Sequence, residues 1–365
     1  QWLPFRERYL DEFIRHNGWT SDSKACAHCA HFEASYRCLE CVGLSSVCAD
    51  CMLKSHLHLP LHRIEKWSGW FWMSASLAEL GLTIQLGHEG KSCNDAMVPK
   101  IPLTVVHTNG VHAVRVSFCR CGHAPGGHYY GTQLLRVRWF PATMLRPATV
   151  FTFEAMWDFH HLTLQGKTTA WDYYNALVHK MDNTGLDPPP KRYNELLDAI
   201  RWWCHLKMLK RAGRAHDPEG IGSTKEGALV VECPACPHPG RNLPDGWESV
   251  DKQRAWIYAL FVAVDANFRL KLRDRGIVND KELGPGWAYF EYQKYLQLME
   301  QYGDQKEVNT CTSGFHAIDH ANTRFAKGCI ANGVGNVVCA RHTFVGKTSA
   351  GDLSKGEKYV YVYKQ

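Results

Sequence analysis

A chain of 365 residues can hold two or three domains, each with its own core, and 45% apolar with 21% charged residues is the balance of a globular protein, which excludes a disordered chain. The net charge of +6 suits a nucleic-acid partner without demanding one. The longest apolar run, Trp256 to Val264, is too short to cross a bilayer, so no membrane partner is expected.

Residues 1–24 read as an amphipathic helical arm. Trp2, Phe5, Tyr9, Leu10 and Phe13 recur at helical spacing, and Asn17-Gly18 stops the run. Docking onto the next segment is the expected role.

Residues 25–66 carry the densest chemistry of the chain. Six of the fifteen cysteines form three Cys-x-x-Cys pairs, Cys26/Cys29, Cys38/Cys41 and Cys48/Cys51, followed by His56 and His62. A Cys-x-x-Cys turn delivers two thiolates to one ion, and structural zinc needs four such donors. Disulfides and buried free thiols are the competing explanations, but pairs this close suit a metal knuckle better than a bridge between elements. The order suggests a cross-brace: Cys26, Cys29, Cys48 and Cys51 around one Zn2+, Cys38, Cys41, His56 and His62 around another. ADCMLKSHLH reads as a short helix leading from the third pair, and His58 competes with His56. This stretch resembles a B-box zinc finger, which implies a contact surface for a protein partner. Knuckle-spaced cysteines without a legible secretory signal point to a reducing, intracellular compartment.

Residues 67–150 read as β-rich. SLAELGLTIQLGHEGKSC is expected to be a helix and then a turn, and LTVVHTNGVHAVRVSFCRC a hairpin around Asn109-Gly110. His88 and Cys93 with Cys119 and Cys121 could close a third zinc site. Alternatively, Cys119 and Cys121 are core thiols.

Residues 151–222 read as a helical connector. In TTAWDYYNALVHKM, Trp171, Tyr174, Leu177, Val178 and Met181 share one face and Thr168 or Thr169 can cap it. A second helix follows Pro188-Pro189-Pro190. From Lys191 to Arg214, seven basic residues face two acidic ones. Arg201, Lys207, Lys210 and Arg211 are the candidate phosphate contacts, with Trp202 and Trp203 able to stack or pack. A solvated face on a core helix explains the same pattern.

Residues 223–365 open with Cys233-x-x-Cys236, half a metal site, whose other half Cys339 and His342 could supply. Ile257 to Val264 reads as a strand buried on both faces with Asp265 at its end. Asn267 to Lys271 reads as a following strand, EYQKYLQLMEQY as a helix and GVGNVVCARHTFV as another buried strand. A carboxylate at a strand end is where a two-metal phosphoryl-transfer fold keeps a ligand. The chain starts at Gln1, not Met, and stops just after the strand-like KYVYVYK, which reads as a fragment of something longer or a truncated product.

Four stretches, ACPHPGRNLPDGWE, VDANFRLKLRDRG, CTSGFHAIDHANTRFAKG and GVGNVVCARHTFV with GDLSKGEKY, resemble the N-terminal part of the Kyakuja–Dileera–Zisupton (KDZ) transposases, widespread in mushroom-forming fungi. The cysteine-rich stretch, LGHEGKSC, FCRC and RWWCHLKMLKRAGRAHD resemble the Cys-x-Cys cysteine-cluster domain, second type, that accompanies them. The expected architecture is therefore multidomain α+β: a B-box-like cross-brace zinc module, a small β-rich cysteine-cluster region, a helical connector and the N-terminal part of a ribonuclease H-like domain. The resemblance implies a nuclear DNA transposase with an Asp-Asp-Glu metal site and Asp265 as its first acid. Motifs for the second and third acids do not occur in these residues, and Asp319 and Asp352 do not match them. The expectation is a zinc-binding, transposase-derived chain, catalytically inactive as it stands, with Mg2+ only in a full-length catalytic form. The alternative is a B-box-like zinc adaptor for protein contacts.

Overall fold

The computed structural model describes residues 1–21, 23–43, 45–121, 129–274, 276, 282–302 and 326–353. Two compact units divide the chain, Gln1–Trp203 and Cys204–Gln365, the boundary falling inside one long helix. The secondary structure is mixed α+β.

The first unit starts with helix α1 (Arg6–Arg15), on which no residue is buried. Docking of its apolar stripe does not occur among the described residues, and Phe13 remains 76% exposed. The segment after the helix makes the attachment. Arg37 donates to the His16 carbonyl (2.6 Å), Trp72 Nε1 to the Gly18 carbonyl (2.9 Å), and Trp19 stacks on Trp72 at 5.6 Å. Strand β1 (Tyr36–Cys38), helix α2 (Ala49–Ser55) and strands β2 (Ile64–Trp67) and β3 (Trp72–Ala75) follow. The strands form an antiparallel sheet in the order β1-β2-β3. Its core is small: Tyr36, Val47, Met52, Ile64, Leu77 and Leu82 around Cys26, Cys38 and Cys48.

The helix expected from Ser76 is absent. Leu82 N–H bonds back to the Leu77 carbonyl (2.9 Å), closing a turn, and Thr83–Gln85 form strand β4. Strand pairing overrides the local helix propensity of Leu-Ala-Glu-Leu. Strands β5 (Ala96–Met97), β6 (Leu103–His107) and β7 (Gly110–Cys119) come next, then helix α3 (Tyr129–Arg136) and strands β8 (Trp139–Pro141) and β9 (Thr149–Thr152). The sheet order is β4-β7-β6-β9-β8, with β5 also on β7. β6 and β7 form the expected hairpin, with His107 opposite Gly110. A Cβ at Gly110 would fall 2.2 Å from Met181 Sδ, so only glycine fits the turn against that side chain.

Alternation along β6 divides the core in two. Val105 joins Leu103, Val114, Val116, Phe118, Leu134 and Trp139 on one side. Val106 joins Phe140, Phe151 and the helices α4 (Phe153–Gly166), α5 (Ala170–Met181) and α6 (Tyr193–Arg211) on the other. Thr152 and Thr169 cap α4 and α5 by accepting from Ala155 and Asp172 N–H. Of the residues expected on the packing face of α5, Tyr174 and Leu177 are buried and Trp171 is exposed.

The second unit contains strands β10 (Val262–Asn267) and β11 (Leu272–Arg273), helix α7 (Tyr292–Tyr302) and strands β12 (Cys329–Ala331), β13 (Gly333–Cys339) and β14 (Val345–Leu353). β10, β13 and β14 make one antiparallel sheet in that order, and β11 pairs with β12. Three expectations fail here. The apolar run from Ile257 is not a strand buried on both faces: Ala255–Tyr258 is a 3-10 turn, and Leu260, Val262 and Val264 are exposed. β10 lies at a sheet edge, covered on neither face by the described residues, because an apolar run fixes strand propensity but not what packs on it. Phe268–Lys271 turns instead of forming a strand, with Arg269 N–H bonded to Asn267 Oδ1 (3.0 Å). GVGNVVCARHTFV is strand, turn and strand, half-buried along the first strand and exposed at the turn. Asp319, KYVYVYK and most of CTSGFHAIDHANTRFAKG lie outside the described residues.

Candidate metal centres

Three groups of four sulfur and nitrogen donors converge in the first unit. Each group lies within 4.8 Å and could hold a metal ion: Cys26, Cys29, Cys48 and Cys51; Cys38, Cys41, His56 and His62; His88, Cys93, Cys119 and Cys121. A tetrahedral ion with bonds of about 2.3 Å to sulfur and 2.0 Å to nitrogen spaces its donors about 3.5–3.8 Å apart. Cys29 and Cys48 Sγ are 3.9 Å apart. Cys38 Sγ lies 3.4 Å from His62 Nδ1, and Cys41 Sγ lies 3.5 Å from His56 Nε2 and 3.6 Å from His62 Nδ1. In the third group Cys93 lies 3.5 and 3.7 Å from Cys119 and Cys121, and His88 Nε2 3.3 and 3.0 Å from the same two sulfurs. The spacings in the first two sets match tetrahedral coordination, and the third set is packed more tightly, with Cys119 and Cys121 Sγ 3.1 Å apart.

The local fold explains this convergence. Each pair sits on a tight turn or a helix start. α2 stands between the first two groups, with Cys51 in its first turn and His56 immediately after its end. His56, and not His58, turns toward the cysteines. Its Nδ1 lies 3.0 Å from the Met52 carbonyl and 2.9 Å from Ser55 Oγ, which orients Nε2 toward Cys41. β1 ends on Cys38, and its pairing with β2 brings that cysteine near His62. In the third group Asp95 ties the loop to the strand end: its carbonyl accepts from Arg120 N–H (2.8 Å) and its carboxylate pairs with the Arg120 guanidinium (2.6 Å). The side-chain amide of Gln133 on α3 clamps both backbone groups of Cys119, at 3.0 and 2.9 Å. Gly87 lets the chain pass close beside that residue, since a Cβ there would lie 2.3 Å from Cys119 Cβ. Gln133, Asp95 and Ser55 carry no sequence signal, because their role depends on partners brought together by the fold.

Crowded thiols divide sharply in acidity. Burial alone would raise Cys26, but backbone N–H groups of Cys48, Cys29 and His28 outweigh it and bring the thiol down to about 6. Cys51, in the same group, is pushed up to about 12 by burial and by its contacts with Cys48 and Cys26. The third group repeats the pattern. Cys93 falls to about 6, its burial outweighed by hydrogen bonds with His88 and Cys119, while Cys121 rises to about 12 through its contacts with Cys119 and Cys93. Adjacent sulfurs cannot all ionise against one another, and a divalent cation among them removes the conflict.

The other expected site residues are less assembled. Asp265 lies within β10, not at its end, opposite Asn336 on β13. It is exposed, its Oδ1 accepts from Ala266 N–H (2.9 Å), and among the described residues it joins no group of three metal-ligating side chains. On α6, Leu196, Ala199 and Trp203 are buried, and Trp203 packs edge-on to Phe140 and Phe153. Trp203 is therefore committed to the core. Arg211 donates to the Leu229 carbonyl (2.7 Å), Lys210 is exposed, and Arg201 and Lys207 are half-buried.

Comparison with known families assigns two segments. Residues 77–185 match the CxC2-like cysteine cluster associated with KDZ transposases, and residues 258–363 match the Kyakuja-Dileera-Zisupton transposase. The third donor group lies inside the first match, and the first two precede it. No curated protein and no solved structure matches the chain.

Proposed function

We propose that this chain, which joins a KDZ transposase domain to its associated CxC2-like cysteine cluster, is a zinc-structured transposase-type protein that engages DNA. The observation that carries the reading is the occurrence of three tetrahedral-type cysteine/histidine groups beside the transposase match. Zinc is the ion of choice. One group offers four thiolates, one two thiolates and two imidazoles, one three thiolates and an imidazole, and such sets with partly buried ligands are those of closed structural zinc sites. The residues of the first two groups form a cross-brace of B-box type.

In the transposase segment, the antiparallel order β10-β13-β14 with Asp265 on its first strand supports a ribonuclease H-like reading. Asp265 is the first acid of the metal site. A bound Mg2+ pair would activate the attacking oxygen and stabilise the leaving one. Among the described residues no further acid joins Asp265, and one carboxylate cannot hold such a pair, so the described residues by themselves are expected not to cut DNA. Of the candidate phosphate contacts on α6, Lys210 and Arg211 are exposed and Arg201 and Lys207 are half-buried. A nuclear location follows from the same reading.

DNA binding by the zinc-loaded chain tests this reading. Affinity for duplex DNA should fall steeply with salt, and neutralising Arg201, Lys207, Lys210 and Arg211 together should lower the log–log salt slope by about 0.9 for each phosphate left without its cation. Absence of DNA affinity at low salt refutes it and leaves a zinc adaptor for protein contacts.

A further inference from the structure

Three more donors meet in the second unit, and a fourth, Cys236, lies beside one of them. Cys236 Sγ lies 3.2 Å from Cys339 Sγ, and Cys233 Sγ lies 3.5 Å from His342 Nδ1. Cys233, Cys339 and His342 fall within a mutual 4.8 Å. Cys233 and Cys339 are buried, Cys236 is half-buried and His342 is exposed, so the cluster has two sealed thiols and an accessible rim.

Both halves are built as knuckles. Cys236 N–H bonds to the Cys233 carbonyl (3.2 Å), closing the first turn. Asn242 Nδ2 donates to the Cys236 carbonyl (2.8 Å), and its Oδ1 accepts from His238 N–H (2.7 Å). On the other side, Cys339 ends β13, its N–H bonds to the Phe344 carbonyl and Thr343 N–H to the Cys339 carbonyl, both at 2.8 Å. That turn swings His342 back over Cys233. A salt bridge holds the same two stretches together, since Glu232, beside Cys233, pairs with Lys347 on β14 (2.6 Å).

We propose that Cys233, Cys236, Cys339 and His342 form a fourth zinc site, of three thiolates and one imidazole, that staples the segment preceding β10 to the β13–β14 turn. Unlike the knuckles of the first unit, its two halves stand more than 100 residues apart, so the ion closes a long loop. Closing a long loop removes the most conformational freedom from the unfolded chain. The site also bears on the transposase strand. Cys339 pairs with Val262, and three residues along β13, roughly 10 Å away, Asn336 pairs with Asp265. The ion pins one end of the ladder on which Asp265 sits, at an edge strand with no other cover among the described residues. It is structural, and it needs no carboxylate from Asp265.

The test is metal counting on the full chain by native mass spectrometry, joined to alkylation of its thiols under native conditions. Four zinc ions per chain are expected. Cys236→Ser and His342→Ala should each lose one ion, and Cys329→Ser, outside every cluster, should lose none. In the zinc-loaded wild type, Cys233, Cys236 and Cys339 should resist alkylation while exposed Cys204 reacts, and chelation should release them. An unchanged count in Cys236→Ser, alkylation of the three thiols at the rate of Cys204, or a Cys236–Cys339 disulfide would each overturn the proposal. Because the wild-type measurements need no mutant, a variant that fails to fold leaves the test standing. Loss of the first-unit ions is read separately through Cys38→Ser.

Discussion

Cys38→Ser separates a cross-brace from binding by consecutive pairs. Cys38 Sγ lies 3.4 Å from His62 Nδ1, and its group is completed by Cys41 and His56. The observed sulfur–nitrogen spacings of 3.4–3.6 Å already match a tetrahedral ion, so binding demands little rearrangement. A site of this quality holds structural zinc with about 10–16 kcal/mol at neutral pH, more than the whole folding stability of many domains. Loss of an orienting partner behind a ligand costs about 10–100-fold in metal affinity, and loss of a ligand should exceed that. The expected result is one ion fewer per chain, with the Cys26, Cys29, Cys48 and Cys51 site still loaded. Cobalt substitution should then lose absorption of the two-sulfur, two-nitrogen type and retain the four-sulfur spectrum. Loss of the four-sulfur spectrum in Cys38→Ser, with the mixed site intact, would mean that Cys26, Cys29, Cys38 and Cys41 share an ion, and the cross-brace would be wrong.

Three other outcomes follow from single contacts. Ser55→Ala should weaken zinc at the site of Cys38, Cys41, His56 and His62 about tenfold in a competition titration, with the metal count unchanged, because Ser55 Oγ meets His56 Nδ1 at 2.9 Å; unaltered affinity would remove Ser55 from the site. Thr152→Ala should cost about 1–2 kcal/mol in denaturant unfolding, since the buried Thr152 hydroxyl both caps α4 and meets His107 Nδ1 at 2.8 Å; a change under about 0.3 kcal/mol refutes the cap. His112, buried with its Nε2 2.7 Å from Asn109 Oδ1, is brought down from 6.5 to about 4, chiefly by burial. The folded state keeps this imidazole neutral while the unfolded chain protonates it. Its stabilising contribution is therefore full above about pH 6.5 and shrinks as pH falls toward about 4, by on the order of 3 kcal/mol. Unfolding of His112→Phe should be less pH-dependent than wild type in that window, and identical slopes would refute the assignment.

How far the sequence can be read depends on how local each feature is. The Cys-x-x-Cys knuckles, the hairpin at Gly110 and the Thr169 cap each lie within a few residues, and the fold realises them. Cys339 and His342 are only a loose match for Cys233 and Cys236 by spacing, because 103 residues of chain must fold before the sulfurs meet. Leu-Ala-Glu-Leu favours helix locally but yields to the parallel pairing of β4 with β7, a contact about 30 residues away. Apolar runs mislead in the other direction. The stripe on α1 and the run before Asp265 carry the pattern of buried elements, yet Phe13, Leu260 and Val262 are exposed. Pattern predicts which side chains could be covered, and only a packing partner decides whether they are.

Metal dependence should therefore follow core composition, element by element. In the first core, three of the nine buried residues, Cys26, Cys38 and Cys48, are themselves donors, and the rest amount to six side chains. The cores on either side of the six-stranded sheet contain no donor residue. Chelation at neutral pH removes the ions and leaves mutually repelling thiols where the first core should close. It should abolish hydrogen-exchange protection over residues 25–66, while the amides of β6, β7, β9 and α5, packed on Val105, Val106, Phe151 and Leu177, stay protected. The third group spans a loop and a strand end, so loss there should fray residues 86–97 and the end of β7 without melting the sheet. Uniform loss of protection across the first unit would refute this division and make the ions part of one cooperative fold. Unchanged protection in residues 25–66 would show that six apolar side chains suffice without metal.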